Sequence, residues 1–312
     1  MAENQGVLGD LWNDRANKLL KLFGWEHIGD KDMDITGCGG ETYGIDAIAC
    51  YDSPGLAVKQ SCLVESKRYA MGSISSSVIK KWIERLKQKL DGVYQSKDLI
   101  TEFPVLRECS PINLGVIMCW VHDANDESYF ENEFEKYLNN ARIVTMPKPM
   151  AYKRIIVLNN PRILRLCSIA SVLKDNTYKY EFYYPSQLIN NKPFEMSKVL
   201  TIDYALSDII MAERKKGSKS EKVVFYFGAM NLEAINTLKD ALTMYNMMEA
   251  KKTLIIYHYE EDASTREIIP DAKKLFEKVK VTFNSMDHFD LTTEPAIMAH
   301  PDFSVADLHR PA

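Results

Sequence analysis

Three charged residues stand near the ends of two strand-like segments and could act together on a phosphate. Glu65 and Lys67 close the run "QSCLVESKRY", and Asp46 interrupts the otherwise apolar "GIDAIACYD". Residues two apart in a strand point to the same face, so Glu65 and Lys67 share one side of their strand. If the two strands are neighbours, Asp46, Glu65 and Lys67 converge at one end of a sheet.

Such a set of charges predicts a metal-dependent site. Two convergent carboxylates repel each other, and burying them is costly unless a cation neutralises them. A hard divalent cation such as Mg²⁺ suits oxygen ligands and keeps positions open for water and for a phosphate oxygen. Lys67 could orient or deprotonate a water and neutralise charge in the transition state. The pattern favours phosphodiester hydrolysis; the alternative is a group of ion pairs at a strand end.

A basic segment follows this motif. From Lys59 to Lys97 there are nine lysine or arginine residues and three acidic ones, although the formal net charge of the whole chain is −4. The acidic balance argues against a general polyanion coat, so a nucleic-acid site must be a local patch. Phosphates attract such a patch, whereas the alternative is a solvated helix face. The predicted nucleic-acid contacts are Arg68, Lys80, Lys81, Arg85, Lys87 and Lys89.

Hydrophobic periodicity predicts the elements that position these residues. Apolar residues recur at helical spacing over 11–23, and Gly24 follows as a C-terminal cap. A second amphipathic helix is predicted over 78–90, behind two strands that "SPG" separates. The apolar run "PINLGVIMCWVH" predicts a strand covered on both faces, "ESYFENEFEKYLNNA" a helix, and "RIVTM" a short strand.

The two prolines of "MPKPM", residues 146–150, favour a linker, because proline continues neither a helix nor a central strand. We therefore predict two domains, 1–149 and 150–312. After the linker, strand and helix patterns alternate, as in an α/β sheet with crossover helices. The predicted strands are "RIIVL", "KYEFYYP", "KVVFYFG", "TLIIYHY" and "KVTF", and the predicted helices lie near 160–173, 202–214, 231–249 and 265–279, with "ERKKGSKSEK" as a loop.

The first part of the chain resembles a known nuclease superfamily. "GID", eighteen intervening residues and "ESKRY" are similar to the PD-(D/E)xK, or restriction-endonuclease-like, nucleases, most nearly the Mrr-like restriction enzymes. The first helix of that group commonly carries a glycine, an aromatic residue and a glutamate. Gly9, Trp12 and Gly24-Trp25 match this frame in "GDLWNDRANKLLKLFGW", whereas Asn13 stands at the position of the glutamate. The resemblance covers roughly residues 9–145.

The resemblance implies a fold and a set of roles. The expected fold class is α/β, with an N-terminal restriction-endonuclease-like mixed sheet flanked by helices and a C-terminal alternating α/β domain. Asp46 and Glu65 would bind Mg²⁺, for which Mn²⁺ could substitute, with the Ser66 backbone carbonyl as a further ligand. Lys67 would be the catalytic lysine, and Asn13 or Glu41 are candidate accessory ligands.

The functional hypothesis is a cytoplasmic, Mg²⁺-dependent endonuclease that cuts DNA, double-stranded by preference, in prokaryotic defence against phage or foreign DNA. The alternative is a non-catalytic or partner-dependent subunit that keeps the nuclease fold and binds a protein or nucleic-acid ends. A third hypothesis makes the C-terminal domain a nucleotide-binding sensor. Because an unregulated nuclease is hazardous to its host, we expect a control device such as a homo-oligomer or a second protein subunit.

The remaining sequence signals favour structural roles over catalytic or ligand-binding ones. The six cysteines include no closely spaced pair and suit a reducing cytosol, and no segment is apolar over the length of a membrane span. His122 and His258 fit structural roles better than general-base roles. "SMDHFD" and "HPDFS" are predicted C-terminal loops. "YFGAMNLEA" is a weak signal for a phosphate site. "YKYEFYYP" is more simply interpreted as a half-buried strand than as a surface on which bases stack.

Overall fold

The computed structural model describes residues 7–30, 32–54, 58–94, 96–140, 153–175, 177–185, 194–249, 252–259 and 263–291. They belong to two compact units, Met1–Leu164 together with Phe289–Ala312, and Arg165–His288. Each unit contains a mixed sheet with helices, so the α/β fold class is confirmed. "RIVTM", "MPKPM" and "HPDFS" lie outside the described residues, and the predicted boundary at 149/150 stays a prediction.

The first unit is built on a five-stranded sheet in the order β1-β4-β5-β6-β7. β4 runs antiparallel to β1 and β5, whereas β5, β6 and β7 are parallel. β2 and β3 form a separate hairpin that leads into β4. The strands are Glu26–Ile28 (β1), Met33–Thr36 (β2), Thr42–Ile45 (β3), Ala47–Tyr51 (β4), Gln60–Tyr69 (β5), Leu114–Val121 (β6) and Arg154–Leu158 (β7).

The helices of this unit cover both faces of the sheet. They are Val7–Leu22 (α1), Ser76–Val93 (α2), Lys97–Glu102 (α3) and Glu135–Asn140 (α4), with 3₁₀ turns at Met71–Ser73 and Pro104–Glu108 and a π-helical turn at Phe130–Phe134. α1 is fixed by Trp12, whose indole Nε1 donates to the Met118 carbonyl at 3.0 Å. α2 begins at the predicted serine cluster, where Ser75 caps the Val78 N–H, and buries Trp82 and Leu86. The first two predicted helices are thus confirmed.

β5 and β6 form the buried centre of the sheet. Every residue of β6 is buried, as its continuous apolar run predicts for a strand covered on both faces. Ala47 of β4 pairs with Val64 of β5, so the two strands that carry the motif are neighbours in the sheet. This pairing is the condition under which Asp46, Glu65 and Lys67 can converge.

The second unit contains a six-stranded sheet in the order β13-β12-β11-β10-β8-β9. β11, β12 and β13 are parallel, and the other pairs are antiparallel. Val224, Ile256, Leu238 and Phe276 belong to the core of this unit. The strands are Lys179–Pro185 (β8), Phe194–Ser197 (β9), Ile209–Lys216 (β10), Lys219–Tyr226 (β11), Thr253–Tyr259 (β12) and Lys280–Met286 (β13). The helices are Ile202–Ala205 (α6), Leu232–Met244 (α7) and Ala263–Leu275 (α8), together with the part of Asn160–Leu173 (α5) that follows Leu164.

Two sequence predictions for the second half need correction. The helix predicted near 202–214 is only the four-residue α6, and the predicted loop "ERKKGSKSEK" lies within the β10–β11 hairpin. Buried Ile210 and Ala212 explain the difference, because pairing with β8 and β11 overrides the helical preference of the charged residues that follow. Gly217, with φ of 58°, supplies the left-handed conformation that the hairpin turn requires.

The strand "RIIVL" was assigned from sequence to the second domain, but it lies in the first sheet as β7. Ile155 pairs with Gly115 and Val157 with Ile117, so β7 covers an edge of β6 that would otherwise be unpaired. None of the helices in the described ranges combines the length and the apolar character that a membrane crossing requires.

Candidate active site

A cavity of about 540 Å³ opens in the first unit where the β2–β3 hairpin, the start of β4, the end of β5 and α2 come together. We call it the site cavity. It is lined by Asp32, Asp34, Thr42, Tyr43, Gly44, Ile45, Asp46, Glu65, Lys67, Trp82, Arg85, Gln88, Lys89 and Ile117. Asp46, Glu65 and Lys67 therefore share one cavity.

Lys67 lies between the two carboxylates of the motif. Its ammonium Nζ is 3.5 Å from Asp46 Oδ2 and 3.1 Å from Glu65 Oε2. Glu65 and Lys67 are both buried, at 4% and 9% exposure. Because charge–charge interactions strengthen away from water, these contacts hold the three side chains as one unit.

The backbone around Asp46 fixes the direction of its side chain. Asp46 stands between β3 and β4, where the chain leaves the hairpin and enters the sheet. Its Oδ2 accepts a 2.8 Å hydrogen bond from the Ser66 N–H on β5. Its own carbonyl accepts from the Asp32 N–H at 3.0 Å. A contact from each neighbouring segment thus holds this carboxylate toward Lys67.

Asn13 ties α1 to the same strand ends. Its Nδ2 contacts Asp32 Oδ1 at 3.2 Å and the Asp46 carbonyl at 3.4 Å, and its Oδ1 accepts from the Ser66 hydroxyl at 3.2 Å. The residue is buried, at 4% exposure. Asn13, which the resemblance placed among the accessory metal ligands, is therefore engaged in hydrogen bonds that position Asp46 and Ser66.

α2 contributes a second lysine to the centre. Lys89 Nζ lies 2.5 Å from Glu65 Oε1, and both side chains are mostly buried. Arg85, one helical turn earlier, lines the same cavity and is exposed. Among the described residues, the cations that line the site cavity are Lys67, Arg85 and Lys89.

The other predicted nucleic-acid contacts occupy different environments. Lys80 and Lys81 are exposed and Lys87 is half-buried, and Lys80 pairs with Glu84 at 3.9 Å. Arg68 is buried at 2% exposure, and burial lowers the pKa of its guanidinium to about 10. Arg68 has almost no surface for a phosphate. Lys80 pairs with Glu84, is absent from the cavity lining and faces the opposite side of α2 from Lys89, nine residues later. Neither residue belongs to the contact surface proposed below.

Glu41 lies away from the centre. It is exposed, and its Oε2 accepts a 2.6 Å hydrogen bond from the Tyr43 hydroxyl. That hydrogen bond raises the pKa of Tyr43. Tyr43 lines the site cavity whereas Glu41 is absent from its lining, so we do not assign Glu41 to the metal site.

The remaining sequence candidates lie elsewhere. His122 is buried beyond the end of β6, and His258 is buried in β12 with its Nδ1 2.5 Å from the Tyr259 carbonyl. Asn231, within "YFGAMNLEA", caps α7 through the Ala234 N–H at 2.9 Å. "YKYEFYYP" contains the half-buried strand β8, in which Phe182 and Tyr183 are in the core.

The donors of the site cavity suit a hard divalent cation. Its lining holds four carboxylates, Asp32, Asp34, Asp46 and Glu65, against three cations, a formal charge of −1 that a divalent ion would change to +1. Within the described part of the chain, no three His, Cys, Asp or Glu side chains gather closely enough to form a ligand set. Two carboxylates with room for water fit Mg²⁺, which usually keeps several water ligands.

Sequence reasoning missed several residues of this site. Asp32, Asp34, Trp82 and Gln88 line the cavity but were not among the candidates. The available signal was "DMDIT" directly before the glycine-rich approach to Asp46, with two aspartates at the two-residue spacing of one strand face. In the structure only Asp34 lies in β2, and Asp32 precedes the strand with φ of 55°. The contact of Lys89 with Glu65 had no such signal, because it joins a helix to a strand 24 residues away.

A nuclease family model matches the first half of the chain. A family model described as "GAPS4 protein PD-(D/E)XK nuclease domain" matches residues 1–162. No curated protein matches the chain. The solved structure titled "Crystal structure of Aa-Ago with externally-bound siRNA" is 11% identical with a TM-score of 0.18, covering 83% of this chain. The match covers 40% of the chain in that structure, and at this TM-score we infer nothing from it about the fold or the function.

Proposed function

The chain belongs to the GAPS4 PD-(D/E)XK nuclease family, and we propose that it is a metal-dependent endonuclease whose catalytic residues are Asp46, Glu65 and Lys67. One observation carries the proposal: the Lys67 ammonium lies within 3.5 Å of both carboxylates, at the wall of an open cavity. This arrangement puts a cation and two metal-binding oxygens where one phosphate group could meet them all.

Asp46 and Glu65 would hold Mg²⁺ or Mn²⁺, and we include the Ser66 carbonyl as a third ligand. The N–H and C=O of a strand residue project toward the same neighbouring strand. Since the Ser66 N–H contacts Asp46, its carbonyl projects toward the same side of β5. When bound, the metal supplies Lewis-acid polarisation of the phosphate and an acidified water.

Lys67 has two roles in this proposal. Its ammonium can neutralise the negative charge that builds on a non-bridging phosphate oxygen during hydrolysis. It can also donate a hydrogen bond to the attacking water and fix its direction. Asn13 and the Ser66 N–H keep Asp46 in place, so the chemistry does not have to reorganise the ends of the strands.

A PD-(D/E)XK nuclease domain implies interaction with nucleic acid. We propose that the nucleic acid approaches over α2, because this helix carries two of the cations that line the site cavity. We propose double-stranded DNA as the substrate. Arg85 and Lys89 line the cavity, and Lys81 is exposed on the same helix. Cations so close to the carboxylates would bind the backbone phosphates on either side of the cut without reading the bases.

We further propose a cytoplasmic role in defence against phage or foreign DNA, as the resemblance to Mrr-like restriction enzymes implies. One observation favours the partner-dependent alternative. An amide, Asn13, stands where the family resemblance expects a glutamate, and it is occupied by hydrogen bonds to Asp32 and Asp46. Such a centre would gain full activity only with a trigger, a second copy or a second protein subunit.

The direct test is cleavage of labelled double-stranded DNA, single-stranded DNA and RNA with Mg²⁺, Mn²⁺ or chelator. Asp46→Ala is compared with Asp52→Ala, a matched control because Asp52 is exposed and follows the other end of β4. We expect metal-dependent cutting by the wild type and Asp52→Ala and none by Asp46→Ala. Equal cutting by Asp46→Ala would refute the site, whereas no cutting by the wild type would favour the partner-dependent alternative.

A further inference from the structure

The two carboxylate oxygens of Glu65 face two different lysines. Oε2 lies 3.1 Å from Lys67, on the same strand, and Oε1 lies 2.5 Å from Lys89, on α2. The Glu65 side chain is only 6% exposed. The carboxylate that would bind the metal is thus already occupied by protein cations on both oxygens.

We propose that Lys89 is a positioning residue that holds Glu65 until a nucleic-acid phosphate draws it away, and that it thereby couples metal binding to nucleic-acid binding. The inference rests on the proposed function. It differs from the simple assignment of Lys89 to a phosphate-binding patch, because it gives the lysine two alternative partners within one cavity.

Charge explains why Lys89 would leave Glu65 for a nucleic-acid phosphate when a metal ion binds. With a divalent cation present, the whole cavity lining would carry +5 against −4, and most of the excess would lie at its centre, where Lys67, Lys89 and the metal carry +4 against −2 on Asp46 and Glu65. An ammonium in contact with a metal ligand opposes the arriving cation, and this repulsion is strong in a poorly hydrated site. Nucleic-acid phosphates supply the missing negative charge and a new partner for the lysine.

The cavity offers Lys89 a route between these partners. The side chain is 18% exposed and reaches Glu65 from the wall that α2 contributes. Arg85 lies one helical turn earlier on the same wall, where it could bind the same phosphate backbone. A lysine has a flexible four-carbon stem and three donors, so it can change partners without moving the helix.

Coupling of this kind is reciprocal. If nucleic acid favours metal binding by releasing Glu65, metal must favour nucleic-acid binding by the same factor. Removing the Lys89 ammonium should leave Glu65 available to metal at all times. We expect Lys89→Met to bind Mn²⁺ about tenfold more tightly than the wild type without nucleic acid, which corresponds to about 1.4 kcal/mol.

The experiment titrates Mn²⁺ into the full-length protein and follows free Mn²⁺ by electron paramagnetic resonance, with and without a hydrolysis-resistant phosphorothioate DNA duplex. Lys80→Met is the matched control, because Lys80 lies on the same helix and pairs with a glutamate outside the cavity. We expect the duplex to tighten Mn²⁺ binding about tenfold in the wild type and Lys80→Met, and less than about threefold in Lys89→Met.

Two outcomes separate this inference from the proposed function. Unchanged or weaker Mn²⁺ binding by Lys89→Met, with binding lost in Asp46→Ala, would overturn the role of Lys89 and leave the metal site intact. Wild-type Mn²⁺ binding by Asp46→Ala would overturn the metal site itself. Thermal melting verifies folding; if Lys89→Met does not fold, Lys89→Gln replaces it and must show the same tighter binding for the inference to stand.

Discussion

Among the described residues, each unit buries one lysine within its sheet, and the two lysines differ in the groups that their ammonium ions contact. Lys67 in the first unit lies between Asp46 and Glu65 at the wall of a cavity. Lys222 in the second unit is 3% exposed, and its ammonium donates to the Asn246 carbonyl at 2.7 Å, with Glu249 at 3.9 Å. Burial lowers the pKa of Lys222, and Glu249 opposes that shift.

The two buried lysines differ in the chemistry of their partners. The closest partner of Lys222 is a main-chain carbonyl, which is neutral and fixed by the fold. The partners of Lys67 are carboxylates, which carry charge and can exchange an ammonium for a metal ion. We therefore expect substitution of Lys67 to change the response of the protein to metal and nucleic acid. Substitution of Lys222 should change only the stability of the protein.

Arg214 in the second unit supports the same distinction. Its guanidinium donates to Glu221 and to the Tyr257 hydroxyl, at 2.8 and 2.9 Å, and lies 4.2 Å from the centre of the Tyr178 ring. A planar donor group surrounded by three fixed partners joins neighbouring strands. Because all three partners hold the Arg214 guanidinium in place, we interpret Arg214 as a structural cation.

The largest effect is expected from Lys67→Met. Loss of the ammonium removes stabilisation of the developing phosphate charge, so cleavage should slow about 10³-fold. Nucleic-acid affinity should stay within about threefold, because many phosphate contacts remain. Single-turnover cleavage and a fluorescence-anisotropy titration measure the two quantities. Cleavage at the wild-type rate would remove the contrast between Lys67 and Lys222.

A smaller effect is expected from Asn13→Ala. Residues that orient metal ligands typically contribute about 10- to 100-fold to activity, and Asn13 contacts both the Asp46 carbonyl and the Ser66 hydroxyl. Cleavage should fall by this factor. Asn17→Ala, which removes only a contact to Asn13 Oδ1, should lose less than about threefold. Equal rates for the two variants would deny Asn13 a positioning role.

Arg85→Ala should weaken binding rather than chemistry. Removal of one phosphate contact is expected to reduce nucleic-acid affinity by a few-fold and to reduce the slope of log affinity against log salt by about one. Lys80→Ala is the control on the far side of α2, because Lys80 pairs with Glu84 outside the site cavity. An unchanged salt slope in Arg85→Ala would place the nucleic acid elsewhere.

The smallest effect is expected from Lys222→Met. The Asn246 carbonyl would lose a donor while the methionine keeps the apolar packing, so the free energy of unfolding should fall by about 1 kcal/mol. Cleavage per folded molecule should stay within about twofold of the wild type, as a purely structural role requires. Urea denaturation measures the free energy of unfolding, and the cleavage assay measures the rate per folded molecule. A large loss of cleavage without loss of stability would make the second unit part of the catalytic apparatus.

The sequence predicts the strand that carries Glu65 and Lys67 better than the surroundings of that strand. Alternation along β5 is enough to place Glu65 and Lys67 on one face, and the Gly-Ile-Asp turn indicates where Asp46 enters the sheet. The contact of Lys89 with Glu65 and the hydrogen bonds of Asn13 depend on how helices pack on the sheet, and local patterns do not encode such long-range contacts. For the same reason, sequence reasoning assigned β7 to the wrong sheet.

Cleavage of the protein backbone by bound Fe²⁺ tests most directly whether the carboxylates beside Lys67 bind the metal. Fe²⁺ replaces Mg²⁺ in the full-length protein, and ascorbate with peroxide then generates radicals that cut the chain next to the metal. We predict fragments that end near residues 46 and 65, suppressed by excess Mg²⁺ and absent in Asp46→Ala. Fragments that end within residues 165–288, or cuts that excess Mg²⁺ does not suppress, would contradict the claim.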